Sequence, residues 1–408
     1  MPIGAINSSN PNRPAVPVGL VFSRTGSYRT VGEELLNGAL LAIEEVNDTP
    51  GIEFRFVPKI EDPGGDLNEY RIRCEELLRN EAVRHVVGCY TSSSRKEVIP
   101  AFEKLDALLW YPSHYEGFES CNNVIYTGAA PNQHILPLIE YVLRHFGDRA
   151  YCVGSNYIWA WENNRIMREI VLACRGSVVA EKYLPVGSTD IGHLVDEIAD
   201  TKPSFIFNTL IGESSYAFLR AFHEAGKTDE ALRPASMPIA SCTLSEPELL
   251  SVGGQAARGH IASSVYFQSK DRPENHAFVS RFKARFGKNK VTSADAEASY
   301  IAVTLLARAM QKAGSSDVEQ VKQAVYACEL EAPQGPVRID PENNHCYLTP
   351  SLGRSLAEGQ YEVIWTADEP VKPDPYLVRF DVRRLFESIG GGGAGALQST
   401  GSHLRVVK

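Results

Sequence analysis

Apolar residues along this chain follow two alternating patterns, which predict strands and helices in turn. Short apolar runs predict strands at Val16–Phe22, Glu53–Val57, Arg84–Val87 and Leu108–Trp110. Between them, apolar residues recur at helical spacing in three stretches: Leu35–Val46, Leu67–Arg79 and Arg95–Leu105. Asp66 and Glu69 are spaced to form a capping box at the start of the second helix. This βαβ series predicts a parallel sheet with helices on both faces.

A second series with the same alternation follows Tyr126–Asn132, a stretch rich in small residues where we place a crossover between two lobes. Its strands are predicted at Ala150–Val153, Ser177–Leu184, Phe205–Asn208, Pro238–Ala240 and Ile261–Phe267. Its helices are predicted at Trp161–Arg175, Ile191–Ala199 and Ser214–Ala225, before long helices at Asn275–Phe286 and Ala294–Ala313. Near Pro336–Trp365 the pattern changes to short strands. We therefore predict a bilobed α/β protein with discontinuous lobes.

Composition agrees with a globular chain of this kind. The 408 residues are enough for two or three domain-sized units. The 43% hydrophobic and 22% charged residues are ordinary proportions for a globular protein. A net charge of −9 argues against a surface dedicated to nucleic acid, which needs clustered basic residues.

The N-terminal sequence MPIGAINSSNPNRPAVP has no basic region, apolar core or cleavage site of a secretory signal. We therefore expect a cytoplasmic protein, with a periplasmic location as the alternative if a signal peptide was trimmed. We expect no membrane span, because no apolar run reaches about 18 residues. None of the eight cysteines forms a C-x-x-C pair, so buried reduced thiols are expected rather than a zinc site.

Four loops follow predicted strands, at the end where doubly wound sheets bind ligands. They are Gly88–Ser94, Tyr111–Glu116, Gly154–Trp161 and Ser241–Glu246. The candidate ligand-binding residues in them are Tyr90, Thr91, Ser92, Tyr111, Ser113, His114, Tyr157, Trp159, Thr243 and Glu246. Aromatic walls with a few hydroxyl groups suit a small neutral ligand. A helix predicted to begin near Ser94 would offer N–H groups to an acceptor oxygen. The alternatives are that the serines only cap this helix and that the aromatic side chains belong to the core.

The sequence contains no G-x-S-x-G elbow and no Walker loop. Cys89 lies near Arg95 and Lys96, but the sequence places no base beside it. His114 is the best single candidate for an acid or base, with only Glu116 and Glu119 as nearby carboxylates. We expect no catalytic residue, no metal and no cofactor, and an amidohydrolase is the least favoured alternative.

Six stretches are similar to one known family: GCYTSSSRK, WYPSHYEGFE, TGAAPNQ, GSNYIWAWEN, APQGPVRIDPENNH and KPDPY. They resemble the urea and amide branch of the type I, branched-chain-amino-acid-type periplasmic binding proteins, from about Val16 to about Gly393. The resemblance implies two doubly wound parallel-sheet lobes, a hinge and a ligand cleft between them. Residues 16–129 with 266–335 would form lobe 1, and residues 130–265 with 336–386 lobe 2. Residues 1–15 would be a flexible extension and residues 387–408 a disordered tail.

Two functions compete within this branch. An AmiC-type amide sensor represses an aliphatic amidase operon by sequestering an RNA-binding antiterminator protein; a homodimer is expected. The alternative is the receptor of an ABC transporter for urea or short-chain amides. The expected lack of a signal peptide and the sequences GCY and YEGFE favour the sensor. The sequences FNTLIGESS and YFQSKDRPEN are closer to those of the transport receptors.

The resemblance also implies how an amide would be held. Its pocket residues carry over to Tyr90, Ser92, Tyr111, Ser113, Tyr157, Trp159 and Thr243. Ser92 and nearby N–H groups would bind the amide oxygen, and Tyr111, Ser113 or Thr243 would orient the nitrogen. The chain departs from the sensors at three positions: Ser113 stands in place of threonine, His114 of proline and Trp159 of tyrosine. The preferred amide is therefore left open.

Overall fold

The computed structural model describes residues 13–80 and 82–390, which divide into two compact units. Unit 1 contains the described residues up to His114 together with Glu119–Gly128 and Arg272–Tyr347. Unit 2 contains Tyr115–Phe118, Ala129–Asp271 and the described residues from Leu348 onward. Each unit therefore collects segments that are far apart in sequence.

Unit 1 is built on a five-stranded parallel sheet with the strand order β2-β1-β3-β4-β5. Its elements are β1 (Ala15–Val21), α1 (Arg29–Asp48), β2 (Arg55–Glu61), α2 (Leu67–Asn80), β3 (His85–Gly88), α3 (Ser92–Lys104), β4 (Leu108–Tyr111) and β5 (Val124–Tyr126). The strands β3 and β4 are buried along their whole length, as expected for a sheet covered on both faces.

Unit 2 continues with α4 (Pro131–His145), β6 (Arg149–Ser155), α5 (Ile158–Ala173), β7 (Ser177–Leu184), α6 (Gly192–Thr201), β8 (Phe205–Thr209), α7 (Glu213–Gly226), β9 (Ile239–Ser241), α8 (Glu246–Val252) and β10 (Ile261–Ser264). Successive residues of a strand point to opposite faces, so the sheet separates two cores. Ala150 and Cys152 of β6 pack on one face with α4 and α5, and Tyr151 and Val153 pack on the other.

The chain then returns to unit 1 and finally to unit 2. Unit 1 gains α9 (Pro273–Phe286), α10 (Ala294–Ala313), α11 (Val318–Val325) and a small antiparallel sheet of β11 (Glu329–Ala332), β12 (Gly335–Ile339) and β13 (Cys346–Tyr347). Unit 2 gains β14 (Ser351–Ser355), β15 (Tyr361–Thr366) and α12 (Val382–Gly390). The strands β14 and β15 extend its sheet to the order β15-β14-β10-β9-β8-β6-β7, with β14 antiparallel to β10.

Two contacts explain how the late segment fits unit 1. The helices α1 and α10 approach so closely at Gly38 that an added Cβ would lie 1.9 Å from the carbonyl oxygen of Ala296. The buried carboxylate of Glu297 accepts hydrogen bonds from the backbone and side-chain nitrogens of Gln334, at 3.0 and 2.8 Å. The APQG turn between β11 and β12 is therefore anchored to α10.

The unit boundaries differ in part from those expected from sequence. The division at Gly128 and Ala129 lies inside the expected crossover, but unit 1 extends to Tyr347 rather than to residue 335. The reason is that β12 and β13 complete the sheet that β11 begins. The tail was expected to begin at residue 387, whereas α12 continues to Gly390. Residues 1–12 and 391–408 lie outside the described residues.

None of the helices in the described part of the chain is both long and apolar enough to cross a bilayer. All eight cysteines belong to that part, and each is buried with a free thiol rather than a disulfide.

Candidate functional site

The strand order locates a topological switch point in unit 1. The strand β1 lies between β2 and β3, so the connections on its two sides run in opposite directions. In open α/β sheets, ligands bind beyond the carboxyl ends of the strands at such a point. The loops that leave β1 and β3 therefore define the candidate site of unit 1, and the second of them carries Tyr90, Thr91 and Ser92.

The loop after β3 turns sharply into α3. Cys89 adopts a left-handed conformation with φ of 66°, and Thr91 is the residue that caps the helix. The Thr91 hydroxyl oxygen accepts a hydrogen bond from the Ser94 backbone nitrogen at 3.1 Å. The helix thus begins at Ser92, and the expected start near Ser94 is wrong, because threonine rather than serine makes the cap. The Ser92 hydroxyl therefore does not make this cap.

Tyr111 ends β4 and contacts this loop directly. Its hydroxyl donates a hydrogen bond to the Tyr90 carbonyl oxygen at 2.6 Å. The Tyr90 ring in turn meets Tyr28 edge to face, with ring centroids 5.7 Å apart. The structure thus brings Tyr90 and Tyr111 together and adds Tyr28 from the loop after β1.

Ser113 lies just beyond β4. Its side chain is buried, and within the described residues its hydroxyl has no hydrogen-bond partner. Gly128 passes so close that an added Cβ would lie 2.0 Å from the Ser113 carbonyl oxygen. His114 follows and is half-buried. An unpartnered buried hydroxyl costs free energy, which a ligand that bonds to it would recover.

A charged cluster lies beneath these residues. The Arg95 side chain is completely buried and pairs with Glu119, with Nε 2.6 Å from Oε1. The guanidinium carbon is 4.5 Å from the centroid of the Tyr111 ring, and Nη1 is 3.4 Å from the Ser92 hydroxyl. Glu119 also accepts hydrogen bonds from Lys96 at 2.7 Å and from the Tyr126 hydroxyl at 2.8 Å. This cluster therefore holds Arg95 next to Ser92 and Tyr111.

Unit 2 has a switch point of its own, between β6 and β8. Tyr157 is the N-cap residue of α5 and is half-buried. Trp159 lies one step inside the helix, with its ring roughly parallel to that of Tyr157 and centroids 6.4 Å apart. Only 3% of Trp159 is exposed, and it belongs to the core on the α4 and α5 face. This burial agrees with the core alternative considered for these aromatic side chains, and a contact of Trp159 with a ligand stays a prediction.

Thr243 and Glu246 follow β9 in unit 2. The Thr243 hydroxyl is 3.1 Å from that of Ser241, and its backbone nitrogen donates to the same oxygen. Glu246 is buried at the start of α8 and accepts a hydrogen bond from the Gln268 backbone nitrogen at 2.7 Å. Glu246 therefore stabilises the loop after β10.

Sequence reasoning missed two segments. Tyr28 lies in the loop after β1, and Ser214 lies in the first turn of α7, next to the loop after β8. The Ser214 side chain is buried, and among the described residues its hydroxyl has no hydrogen-bond partner. Both strands were predicted, so applying the carboxyl-end rule to every strand would have found both segments.

The burial of Cys89 argues against nucleophilic chemistry at the loop after β3. Burial raises the pKa of the Cys89 thiol to about 12, and Arg95 lowers it only in part. The thiolate, which is the reactive form, is therefore scarce at neutral pH. Within the described residues, no group of three or more histidine, cysteine, aspartate or glutamate side chains is arranged to hold a metal ion.

Two doubly wound sheets, each with polar and aromatic loops at its switch point, define a two-unit α/β protein. The chain belongs to the periplasmic binding protein domain family, whose family model matches residues 16–381. The predicted type I periplasmic-binding-protein fold is thereby confirmed.

Known proteins of similar sequence and structure agree with this family. A Leu/Ile/Val-binding protein homolog of Brucella abortus is 22% identical over 81% of this chain and 85% of its own length. The solute-binding protein of an ABC transporter from Rhodopseudomonas palustris, solved with p-hydroxybenzoic acid, superimposes with a TM-score of 0.80. It has 19% identity and covers 89% of this chain and 99% of its own. A shorter match, to limonene hydroxylase of Geobacillus stearothermophilus, is 29% identical over 31% of this chain and spans only 23% of that protein.

Proposed function

We propose that this protein is a substrate-binding receptor for a small neutral amide or urea and serves an ABC transporter. The observation that carries the proposal is the hydrogen bond from the Tyr111 hydroxyl to the Tyr90 carbonyl oxygen at 2.6 Å. A phenol has a single proton to donate. Because Tyr111 gives that proton to Tyr90, its oxygen can offer a ligand only an acceptor.

The same loop supplies donors as well. The first N–H groups of a helix have no intrahelical partner; at the start of α3, Thr91 caps that of Ser94, and that of Ser93 lies beside Ser92. A primary amide matches this combination, because its carbonyl oxygen accepts and its NH2 group donates. A carboxylate has only acceptors and would meet the Tyr111 oxygen unfavourably. The buried Ser113 hydroxyl adds a group that can donate or accept.

The charge at the loop supports a neutral ligand. Arg95 is buried and paired with Glu119, so its charge is balanced within the protein. Leucine-type ligands would require groups that meet an ammonium and a carboxylate together. The contacts predicted for Tyr157, Trp159, Thr243 and Glu246 stay predictions.

The relatives support a transport role better than a sensor role, because the solute-binding protein that superimposes on this chain is described as part of an ABC transporter. The proposal that an antiterminator partner binds the chain, and that it forms a homodimer, rests on the sequence resemblance alone. Binding without turnover is part of the proposal, and the raised pKa of Cys89 supports it.

Calorimetry with a panel of urea, formamide, acetamide, propionamide and butyramide tests the ligand class. Acetate and leucine are the matched charged controls. We expect saturable heat from at least one amide or urea and none from acetate or leucine. Tight binding of a free amino acid, with no binding of any amide, would show the assignment to be wrong. Ammonia release from acetamide or urea would instead indicate an amidohydrolase.

Transport and sensing are separated by location and partner. A transport receptor meets its substrate outside the cytoplasmic membrane, whereas a sensor of an antiterminator works in the cytoplasm. Fractionation of the native host with an antibody against this chain, followed by capture of its partners, should recover permease and ATPase subunits. Recovery of an RNA-binding protein from the cytoplasmic fraction would favour the sensor.

A further inference from the structure

Arg95 is a buried cation at the edge of the candidate site of unit 1. Its side chain is 0% exposed, yet it lies 4.5 Å from the Tyr111 ring centroid and 3.4 Å from the Ser92 hydroxyl. A buried guanidinium without a counter-charge would be costly and would attract any anion that reached Ser92. The selectivity of this surface therefore depends on what balances Arg95.

Glu119 provides that balance with two contacts. Its carboxylate oxygens lie 2.6 Å from Nε and 3.3 Å from Nη2 of Arg95, the fork geometry that suits a guanidinium. Burial alone would raise the pKa of Glu119, but Arg95 and Lys96 hold it at about 2. The carboxylate therefore stays charged at neutral pH.

The other two groups that contact Glu119 carry no negative charge that could balance Arg95. Lys96 also contacts Glu119, but its side chain is 38% exposed, so water screens its charge. Tyr126 donates a neutral hydrogen bond to the same carboxylate at 2.8 Å. Among these contacts, only Glu119 contributes a negative charge next to buried Arg95.

We infer that Glu119 is a positioning residue that determines the specificity of the site. By cancelling the charge of Arg95, it lets the surface formed by Ser92 and Tyr111 select neutral amides over carboxylates of the same shape. This inference rests on the proposed function and names the residue responsible for its ligand class. Glu119 acts through Arg95 and is not itself assigned a ligand contact.

Acetamide and acetate are the test probes, because they have nearly the same shape and differ in charge. Glu119→Gln keeps the size and an oxygen that can accept from Arg95, but removes the charge. We expect the affinity for acetate relative to acetamide to rise by about tenfold or more, because tenfold corresponds to only about 1.4 kcal/mol of charge interaction. A residue with a merely structural role would weaken both probes together and leave the ratio unchanged.

Three further variants sharpen the test. Glu97→Gln removes the same charge from a half-exposed position on α3 that pairs with Arg71, and should leave the ratio unchanged. Glu119→Asp keeps the charge and should keep the preference for acetamide. The double variant Arg95→Gln, Glu119→Gln removes both charges and should restore the neutral preference. An unchanged ratio in Glu119→Gln, or an equal change in Glu97→Gln, overturns the inference.

The inference and the proposed function fail in different ways. If the wild-type protein binds none of the amides, the proposed function fails, and acetate-dependent thermal stability still tests Glu119. Acetate should then raise the Tm of Glu119→Gln but not that of the wild type or the double variant. If Glu119→Gln does not fold, Arg95→Gln gives the converse test: Glu119, no longer paired with Arg95, should raise the affinity for the acetamidinium cation relative to acetamide above that of the wild type. A ratio equal to that of the wild type would reject the inference.

Discussion

The imidazole of His345 lies flat against the phenol ring of Tyr126, with ring centroids 4.0 Å apart and ring planes inclined by 4°. The Tyr126 hydroxyl is bonded to Glu119, and the two backbones form an isolated bridge at Tyr126 and His345. His345, which is distant from Tyr126 in sequence, thus supports the charged cluster beneath Tyr111.

His345→Ala should lower the free energy of unfolding by about 2–4 kcal/mol, because it removes a stacked, fully buried ring and leaves a cavity. Urea denaturation measures the change. His193→Ala is the matched control, since that side chain is 56% exposed and should change stability little. A loss below about 1 kcal/mol in His345→Ala would mean that the stack contributes little.

Acid should destabilise the fold through its buried histidines. Burial lowers the pKa of His85, His134 and His260 to about 4 and that of His345 to about 3. Below about pH 6.5 the unfolded chain binds protons that the folded chain does not, so each histidine costs about 1.4 kcal/mol per pH unit on acidification. Asp295 opposes this, because burial raises its pKa to about 7 and the folded state takes up its proton first.

The expected outcome is a net fall in the free energy of unfolding between pH 7 and pH 5, since four histidines outweigh one aspartate. Urea titrations at several pH values measure the slope. His260→Gln should reduce the slope of the free energy of unfolding against pH by the equivalent of one bound proton, about 1.4 kcal/mol per pH unit. Equal stability at both pH values would contradict the assignment of neutral buried histidines.

Ser113→Ala should weaken acetamide or urea binding by about 1–2 kcal/mol while leaving stability unchanged or slightly higher. The reason is that its buried hydroxyl has no protein partner among the described residues, so alanine removes a cost from the free protein. Ser94→Ala is the control, because the Ser94 hydroxyl donates to the Thr91 carbonyl oxygen at 2.8 Å and its loss should lower stability. Calorimetry and thermal unfolding on both variants separate the two effects. Full ligand affinity in Ser113→Ala would remove Ser113 from the site.

Trp159 and Tyr157 should respond differently to alanine. Trp159→Ala should cost about 3–5 kcal/mol of stability, because the indole is part of the core of unit 2. Tyr157→Ala should cost much less stability, because Tyr157 is half-buried at the N-cap of α5, while it weakens ligand binding. Denaturation and calorimetry on both proteins measure the contrast. A stable Trp159→Ala protein that has lost only binding would place the indole in the ligand site rather than the core.

Apolar periodicity predicted most of the sheet and helix elements because it reports which residues must be buried. The strand Ser177–Leu184 and the helix Ala294–Ala313 have the same bounds in the sequence prediction and in the structure. The helix α4 was not predicted, because the small residues and Pro131 of Tyr126–Asn132 indicated a crossover rather than the start of a helix. Pro131 in fact occupies the first helical position, where proline is favoured, and Pro137 is tolerated inside a helix whose apolar face is buried.

Side chains of the candidate site were harder to assign than loops. The sequence drew attention to Tyr90 and Tyr111 because both follow predicted strands. It could not show that Glu246 turns to the backbone of Gln268, or that Arg95 lies beneath Tyr111. Those contacts join residues that are distant in sequence, and their energies depend on burial that only the assembled fold creates.

The chain passes between unit 1 and unit 2 five times, after residues 114, 118, 128, 271 and 347. The consequence appears during synthesis, when a domain can fold only once its last segment has left the ribosome. Unit 1 must wait for α10 and β12, and the sheet of unit 2 must wait for β14 and β15 near the C-terminus. Both cores are therefore completed late, by contacts of long sequence separation that slow folding. We expect the nascent chain to expose apolar strands for most of its translation and to depend on chaperones until the final strands emerge.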